Sequence, residues 1–311
     1  MQTRALRIFR LIWYLQAIDD NRQQTMIRLD PRSPRGILWI ASYPRSGNTW
    51  MRVFLYALRK NMRGVTSSKI LLEDVRKFER SDVSLPHYER LAGRRLDPMS
   101  PAIAHLRPKV QLEIAQANKG IVTVKTHNAF LPDRGHPMIN PQASAGAVYM
   151  VRNPLDIAVS YAELRDQPID LTIDQMAKGG FAGWGKDTAY WASGSWTENV
   201  ESWTEPPHPI VLVVRYEDMV NSPVDTFGSV ARHLRLAPTN VQLRRAIEMA
   251  SFQTLQVAER EQGFTERPER ARVFFREGRV GQWRDRLSPE QVSRIVGAHR
   301  EMMQKFSYLP D

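Results

Sequence analysis

Four short apolar stretches rich in β-branched residues occur along the chain, at positions 37–41, 121–124, 147–151 and 210–214. Each is almost continuously apolar, which is typical of strands in a parallel sheet buried on both faces. Helical periodicity follows three of them, over 49–58, 155–164 and 222–236. The alternation predicts one α/β domain with a central, doubly wound parallel sheet flanked by helices. Because such sheets bind ligands at the carboxyl ends of their strands, the residues after each strand are candidates for chemistry.

Three long segments separate these units, at 61–119, 166–192 and 259–279. Segments of this length carry helices of their own or form lids and binding surfaces, so they are the predicted substrate-binding regions. Trp196 and Trp203 are seven residues apart, which favours packing of one helix face into the core. A last helix is predicted from 289 to about 306, with Ser288 as its cap.

The first 35 residues are predicted to form a basic amphipathic helix and a linker ahead of a single domain over 36–311. Arg4, Arg7 and Arg10 recur among apolar side chains, a pattern typical of such a helix. Docking of this helix on the rest of the domain or on a second subunit is favoured over a role at a membrane surface. Both peripheral membrane contact and a homodimer stay open. No apolar run approaches the length of about 20 residues that a membrane span needs, so a cytoplasmic location is expected.

Composition narrows the partners and the chemistry. The chain has 44 Lys and Arg against 33 Asp and Glu, a formal charge of +11 that favours anionic ligands. Cysteine is absent, which excludes a disulfide framework, a thiolate zinc site and a cysteine nucleophile. Charge alone is also compatible with a protein that binds nucleic acid, which is kept as an alternative.

The first apolar stretch leads into residues 43–50, which read Y-P-R-S-G-N-T-W, and then into a helix. A strand, a tight glycine-containing loop and a helix N-terminus together form a P-loop-like phosphate cradle, since free amides and the helix dipole face the anion. The segment lacks the pattern G-x-x-x-x-G-K-[ST] of nucleoside triphosphatases, and no acidic residue that could hold magnesium is evident. A kinase is therefore the weaker alternative.

Two further segments fit phosphate binding. Residues 151–161 follow the third strand and read V-R-N-P-L-D-I-A-V-S-Y, so the guanidinium of Arg152 and the hydroxyl of Ser160 can converge on one phosphate. Residues 274–284 read F-F-R-E-G-R-V-G-Q-W-R.

Together the three segments resemble the patterns Y-P-K-S-G-T-T-W, R-N-x-x-D-x-x-V-S and R-K-G-x-x-G-D-W-K of sulfotransferases that use 3'-phosphoadenosine-5'-phosphosulfate (PAPS). Glu277 and Gln282 depart from the third pattern, and Arg279 is a candidate to compensate for the charge lost at Glu277. Residues 39–44 and 194–205 are similar to a bacterial branch that sulfates glycopeptide antibiotics.

The resemblance implies a site for PAPS, with PAP as product and no requirement for a metal. It implies that Arg45 stabilises the leaving-group oxygen, while the 5'-phosphosulfate is held by Ser46, Gly47, Asn48 and Thr49. It implies a 3'-phosphate site made by Arg152, Ser160, Phe275, Arg276 and the amide of Gly278. Adenine recognition would use the aromatic faces of Trp50, Tyr216 and Phe252.

A hydroxyl is a poor nucleophile until its proton is removed, and histidine is the usual base near neutral pH. His127 follows the second strand in the segment K-T-H and is the predicted base, with Lys125 adding charge nearby. The other histidines are predicted to lie at the surface: His87, His105, His136, His208, His233 and His299.

The predicted function is sulfuryl transfer to a hydroxyl of a small molecule, a phenolic or alcoholic natural product, without nucleic acid as a partner. The alternatives are transfer to a lipid or glycan hydroxyl at a membrane surface, and a non-catalytic protein that binds nucleotides or nucleic acid.

Overall fold

The computed structural model describes residues 35–65, 67, 69–78, 80–179, 182–268 and 271–310. The predicted amphipathic helix lies outside these residues, as does all of the predicted linker except Arg35.

A four-stranded parallel sheet forms the centre of the described region. The strands are, in chain order, β1 (Gly36–Ser42), β2 (Ile121–Thr126), β3 (Pro132–Asp133), β4 (His136–Pro137), β5 (Ser144–Val151), β6 (Ala182–Gly185), β7 (Thr188–Ala192) and β8 (Val211–Arg215). The sheet has the order β2-β1-β5-β8, and all its neighbours are parallel. The four predicted strands and their parallel arrangement are confirmed. Two small antiparallel hairpins, β3-β4 and β6-β7, stand apart from the sheet.

Helices surround the sheet: α1 (Asn48–Met62), α2 (Leu72–Phe78), α3 (Leu85–Ala92), α4 (Ala102–Ala117), α5 (Pro154–Arg165), α6 (Ile169–Lys178), α7 (Trp196–Thr204), α8 (Tyr216–Asn221), α9 (Pro223–His233), α10 (Asn240–Met249), α11 (Phe252–Gln262) and α12 (Pro289–Lys305). Short 3₁₀ turns occupy Pro141–Ala143 and Gln282–Asp285. None of the helices within the described residues is long and apolar enough to cross a membrane.

Alternation along the strands sends side chains into two separate cores. Trp39 and Tyr149 face the core that contains the apolar residues of α3 to α7 and α12. Ile40 and Met150 face the opposite core, with α1, α2 and α8 to α11. Both faces of the sheet are therefore covered, which explains why its strands are almost continuously apolar and confirms the predicted flanking helices.

Local signals set where several helices begin. Asn153 accepts a hydrogen bond from the Leu155 amide at 2.9 Å and starts α5, while Ser288 forms a capping box with Gln291 at the start of α12. The chain also breaks at Ser222, between α8 and α9, because Pro223 cannot donate an amide hydrogen.

Two predictions about individual side chains have different outcomes. Trp196 and Trp203 are buried in one core, as predicted. The surface position predicted for His299 is wrong: it is 2% exposed, and its Nδ1 lies 2.9 Å from Thr197 Oγ1 beside the ring of Trp196. His299 shares one face of α12 with Ile295 and Met302, both buried, and this face packs into the core.

Candidate active site

The loop between β1 and α1 turns sharply at the carboxyl edge of the sheet. Arg45 has φ 66° and Gly47 has φ 95°, so the chain passes through the left-handed region twice before α1 begins. A Cβ on Gly47 would lie 2.9 Å from the Tyr216 ring, so only glycine fits there without movement. Ser46 is fully buried, and its Oγ has no hydrogen-bond partner among the described residues.

The first residues of α1 are anchored to the body of the domain. Asn48 Nδ2 donates to the carbonyl oxygen of Ile40 at 2.8 Å, so this side chain braces the loop on β1. Thr49 Oγ1 lies 3.5 Å from Arg52 Nη1. The side-chain amide of Asn48 therefore points toward the strand, and the backbone of 46–49 is the part of the loop suited to hold an anion.

A cluster of guanidinium groups lies next to this loop. Arg45 Nε donates to Ser160 Oγ at 3.0 Å, and its guanidinium lies 4.7 Å from the centre of the Phe274 ring. Arg152 donates to the Arg45 carbonyl oxygen at 3.0 Å and stacks 4.1 Å over the Tyr216 ring. Arg45 thus contacts Ser160, a residue predicted for the 3'-phosphate, although its predicted role is at the leaving-group oxygen. Loss of hydration and the nearby charge of Arg152 lower the pKa of Arg45 to about 10.

Asp156 connects the second and third segments and was not predicted as a site residue. Its two carboxylate oxygens accept hydrogen bonds from the amides of Gly281 at 2.8 Å and Trp283 at 3.1 Å. Since Asp156 is fully buried, this double contact fixes residues 276–284 against the start of α5. The aspartate in the pattern R-N-x-x-D was the available signal.

The third segment carries its own acidic partners. Arg276 lies 2.6 Å from Glu163, 2.5 Å from Glu277 and 2.5 Å from Gln282. Arg279 pairs with Glu277 at 3.1 Å and with Asp285. Its guanidinium therefore pairs with Glu277 at the surface, and compensation by Arg279 for the charge lost at that position stays a prediction.

Aromatic rings form the opposite wall. Trp50 meets Tyr216 edge to face at 5.8 Å, and Phe252 meets Phe275 edge to face at 6.2 Å. A Cβ on Gly278 would lie 2.4 Å from the Phe252 ring, so the backbone of the third segment lies directly against that ring.

His127 lies just beyond β2. Its Nδ1 is 2.8 Å from the carbonyl oxygen of Ser42, which can only accept a hydrogen bond, so Nδ1 carries the proton and the lone pair is on Nε2. The pKa of His127 is lowered to about 3, first by loss of hydration and then by the charge of Lys125. The imidazole is therefore neutral at physiological pH.

An ion triad lies beside the histidine. Glu266 pairs with Lys125 at 2.8 Å and bidentately with Arg52 at 2.5 and 3.1 Å. Burial by itself would raise the pKa of Glu266, but Lys125 and Arg52 together lower it well below its usual range. Glu266 was not predicted; it lies in the segment 259–279, but no local pattern marks a carboxylate that meets a lysine so distant in sequence.

Two adjoining cavities meet at this triad. The first, of about 320 Å³, is lined by every predicted site residue except Ser46, which is enclosed beneath the loop. The second, of about 600 Å³, shares four residues with the first: Lys125, His127, Trp191 and Glu266. All three long segments contribute lining residues to the second cavity, among them Arg80, Asp187 and Glu266.

The fold and the site define an α/β protein that presents an anion cradle, a guanidinium cluster and aromatic walls at the carboxyl edge of a parallel sheet. The family model described as "Sulfotransferase domain" matches residues 36–307. The chain belongs to this family, and the predicted assignment to the PAPS-dependent sulfotransferases is confirmed. Membership favours sulfuryl transfer over the kinase and nucleic-acid alternatives.

Several known proteins are similar to this chain in sequence or in fold. Flavonol 3-sulfotransferase of Flaveria bidentis is 24% identical over 83% of this chain and 78% of its own length. Sulfotransferase 1E1 of Mus musculus is 25% identical over 86% of this chain and 83% of its own. The fold resembles that of mouse sulfotransferase SULT7A1 complexed with PAP, with a TM-score of 0.58, 19% identity and coverage of 88% and 85%. A retinol dehydratase complexed with androsterone and PAP gives a TM-score of 0.58 at 17% identity, covering 86% of this chain and 80% of its own.

Proposed function

We propose that this chain transfers the sulfuryl group of PAPS to a hydroxyl of a small-molecule acceptor, with His127 as the base. The observation that carries the proposal is one cavity that joins the anion cradle, the guanidinium cluster and the aromatic wall and ends at a neutral imidazole. Each part matches one component of the donor: phosphosulfate, 3'-phosphate and adenine.

Buried donors support the fit of the nucleotide. Ser46 Oγ, Arg152 Nε and Trp50 Nε1 are buried and lack a hydrogen-bond partner among the described residues. A buried donor without a partner is costly, so two of them on residues that line the first cavity, Trp50 and Arg152, and a third in the loop beside it favour a ligand rich in acceptor oxygens. The backbone of 46–49 would hold the phosphosulfate, and Arg152, Ser160 and Arg276 the 3'-phosphate.

The proposed reaction is an in-line displacement at sulfur. The acceptor oxygen forms a bond to sulfur as the bond between sulfur and the bridging oxygen of the donor breaks, which releases PAP. The acceptor proton passes to Nε2 of His127, which is available because Nδ1–H is held by the Ser42 carbonyl. Lys125 would stabilise charge on the transferred group.

Arg45 is proposed as an electrostatic stabiliser and not as a proton donor. Even with its pKa lowered to about 10, the guanidinium stays cationic at neutral pH. Its contact with Ser160 favours an action on the 3'-phosphate side, and an action at the leaving-group oxygen stays a prediction.

The test compares His127→Ala with His87→Ala, an exposed histidine that lines neither cavity. His127→Ala is expected to lower sulfuryl transfer from labelled PAPS by about 100-fold or more while PAP affinity, measured by calorimetry, stays within threefold. Transfer that survives in His127→Ala at the level of His87→Ala would show that another group is the base.

Peripheral membrane contact and a homodimer remain predictions tied to residues 1–35. Deletion of residues 1–30 is the test: vesicle binding that persists in the shortened chain would remove the support for contact through this segment.

A further inference from the structure

The second cavity is the place where an acceptor would approach His127, and most of the residues that line it are of polar type. Among the described residues that line it, only Val83 and Trp191 have mainly apolar side chains. Most cavities that take apolar ligands are lined by apolar and aromatic residues with few polar groups. In this cavity polar residue types outnumber apolar ones, which favours a ligand that carries hydrogen-bonding groups.

The charges of this cavity balance. The cations are Arg52, Arg80 and Lys125, and the anions are Asp82, Asp187 and Glu266. Glu266 pairs with both Lys125 and Arg52, so the ion triad carries one net positive charge, which the remaining lining carboxylates offset together with the charge of Arg80. The formal charges of these lining residues sum to zero, which favours a neutral ligand over an acid or an amine.

Hydroxyls add to this lining, with Ser81, Ser84, Thr126 and Thr188 next to the charged groups. The apolar body of a phenol or a lipid would displace water from these groups and return no hydrogen bonds, at a cost in free energy. A ligand that carries many hydroxyls replaces the water and keeps those hydrogen bonds.

Trp191 supplies one flat aromatic face where the two cavities meet. Its ring lies 5.5 Å from the ring of His127. The indole lies across the backbone of Gly183, its partner in the β6-β7 hairpin, so closely that a Cβ there would be 2.3 Å from the ring. The absence of a side chain at Gly183 therefore sets the position of this face.

We propose that the acceptor is a neutral, hydroxyl-rich ring of the saccharide class, seated on Trp191 with one hydroxyl at Nε2 of His127. The apolar face of a sugar ring would contact the indole, while its hydroxyls bind the charged and hydroxyl side chains. This inference rests on the proposed function, because it names the substrate of the same site.

The acceptor test uses matched probes with labelled PAPS. The glycosides are 4-nitrophenyl β-D-glucoside, β-D-galactoside and β-D-xyloside, in which the phenolic oxygen is blocked; the phenols are 4-nitrophenol and 2-naphthol, and decanol represents a lipid alcohol. The best glycoside is expected to exceed every phenol and decanol in kcat/KM by about tenfold or more, since sites built around hydroxyls discriminate against acceptors that lack them.

The saccharide proposal would be overturned by transfer to the phenols or decanol alone, or by transfer to no probe while PAP still binds. Either result would leave the proposed donor site for PAPS intact. Failure to bind PAP at all would instead overturn the proposed function. The two failures are therefore distinguishable.

Variants test the platform. Gly183→Ala displaces the indole, whereas Gly185→Ala in the same strand meets only ordinary contacts with Thr188 at 3.5 Å. Gly183→Ala is expected to raise KM for the glycoside about tenfold, and Gly185→Ala to leave it unchanged. Trp191→Phe, which keeps an aromatic ring, should retain more activity than Trp191→Leu. PAP affinity and melting temperature are measured for all four variants as controls. Equal KM values for Gly183→Ala and Gly185→Ala, or for the two Trp191 variants, would contradict a stacking role.

Discussion

At His127 the surroundings favour a neutral imidazole. Loss of hydration and the charge of Lys125 lower its pKa, and the Ser42 carbonyl opposes this only in part. The hydrogen bond at Nδ1 also selects the tautomer with the lone pair on Nε2. A single backbone carbonyl thus decides which nitrogen can accept the acceptor's proton.

The lowered pKa has a consequence for the pH dependence of the reaction. Because the pKa of His127 lies near 3, below its ordinary value of 6.5, protonation does not remove the base as the pH falls from 8 to 5. The kcat/KM for the acceptor is expected to show no acid limb near pH 6.5. The measurement is a pH-rate profile at saturating PAPS. An acid limb centred near pH 6.5 that disappears in His127→Gln would contradict the lowered pKa of His127.

The ion triad shows what local patterns cannot predict. The K-T-H segment after β2 marks Lys125 and His127 by resemblance, but the partner of Lys125 comes from a segment 141 positions away. Likewise, the pattern at 43–50 marks Arg45 as an anion-binding residue, while its contact with Ser160 joins residues 115 positions apart. Residue types follow from sequence; pairings between distant segments require the fold.

At the scale of elements, the junction of β1 and α1 could be predicted almost completely. Apolar continuity marked the strand, and the glycine-containing loop marked the turn into the helix. The burial of His299 could also have been found, because positions 295, 299 and 302 share one face of α12. The hydrogen bond from Asn48 to the Ile40 carbonyl oxygen could not be predicted, because it depends on how the start of α1 faces β1.

Gly47 offers a test of this junction. Gly47→Ala puts an alanine at a position with a left-handed backbone conformation, and its Cβ would lie 2.9 Å from the Tyr216 ring. The ring must then move, which disturbs Arg152 stacked on it. PAP affinity, measured by calorimetry, is expected to fall about tenfold or more.

Gly64→Ala is the matched control, because Gly64 also has a positive φ, 75°, but nothing lies within 4 Å of the added Cβ. Gly64→Ala is expected to lower the free energy of unfolding by about 1–2 kcal/mol without lowering the affinity for PAP. Equal PAP affinity in both variants would argue against a close approach of the loop to Tyr216.

At the scale of the whole molecule, two groups of contacts join distant parts of the chain around the sheet edge. Asp156 holds the third segment against α5, and Glu266 connects α1 with β2. The parallel sheet brings the ends of its strands together, so that residues far apart in sequence form one donor cavity. This arrangement follows from the topology predicted by the alternation of strands and helices.

Glu266→Gln should weaken the fold as a whole. Arg52 is 2% exposed, and loss of the carboxylate that pairs with this buried cation is expected to cost about 3–5 kcal/mol. The surface pair of Arg90 and Glu113 is the control, and Glu113→Gln should change stability by less than about 1 kcal/mol. Urea unfolding measures both, and equal effects would contradict a structural role for the triad.

The same carboxylate gives stability a pH dependence. Because the folded-state pKa of Glu266 is lowered, its contribution is fully present above the unfolded pKa of about 4.5 and is lost progressively as the pH falls below it. The difference in unfolding free energy between the native chain and Glu266→Gln should therefore shrink below pH 4.5.

The most direct test of the central claim is titration of the chain with PAP by calorimetry, because it requires no knowledge of the acceptor. One PAP per chain is expected, with affinity lowered by about 100-fold in Arg152→Ala and unchanged in Arg244→Ala, a substitution of a residue that lines neither cavity. Absence of saturable binding, or equal affinity in Arg152→Ala and the native chain, would contradict a donor site at this edge of the sheet.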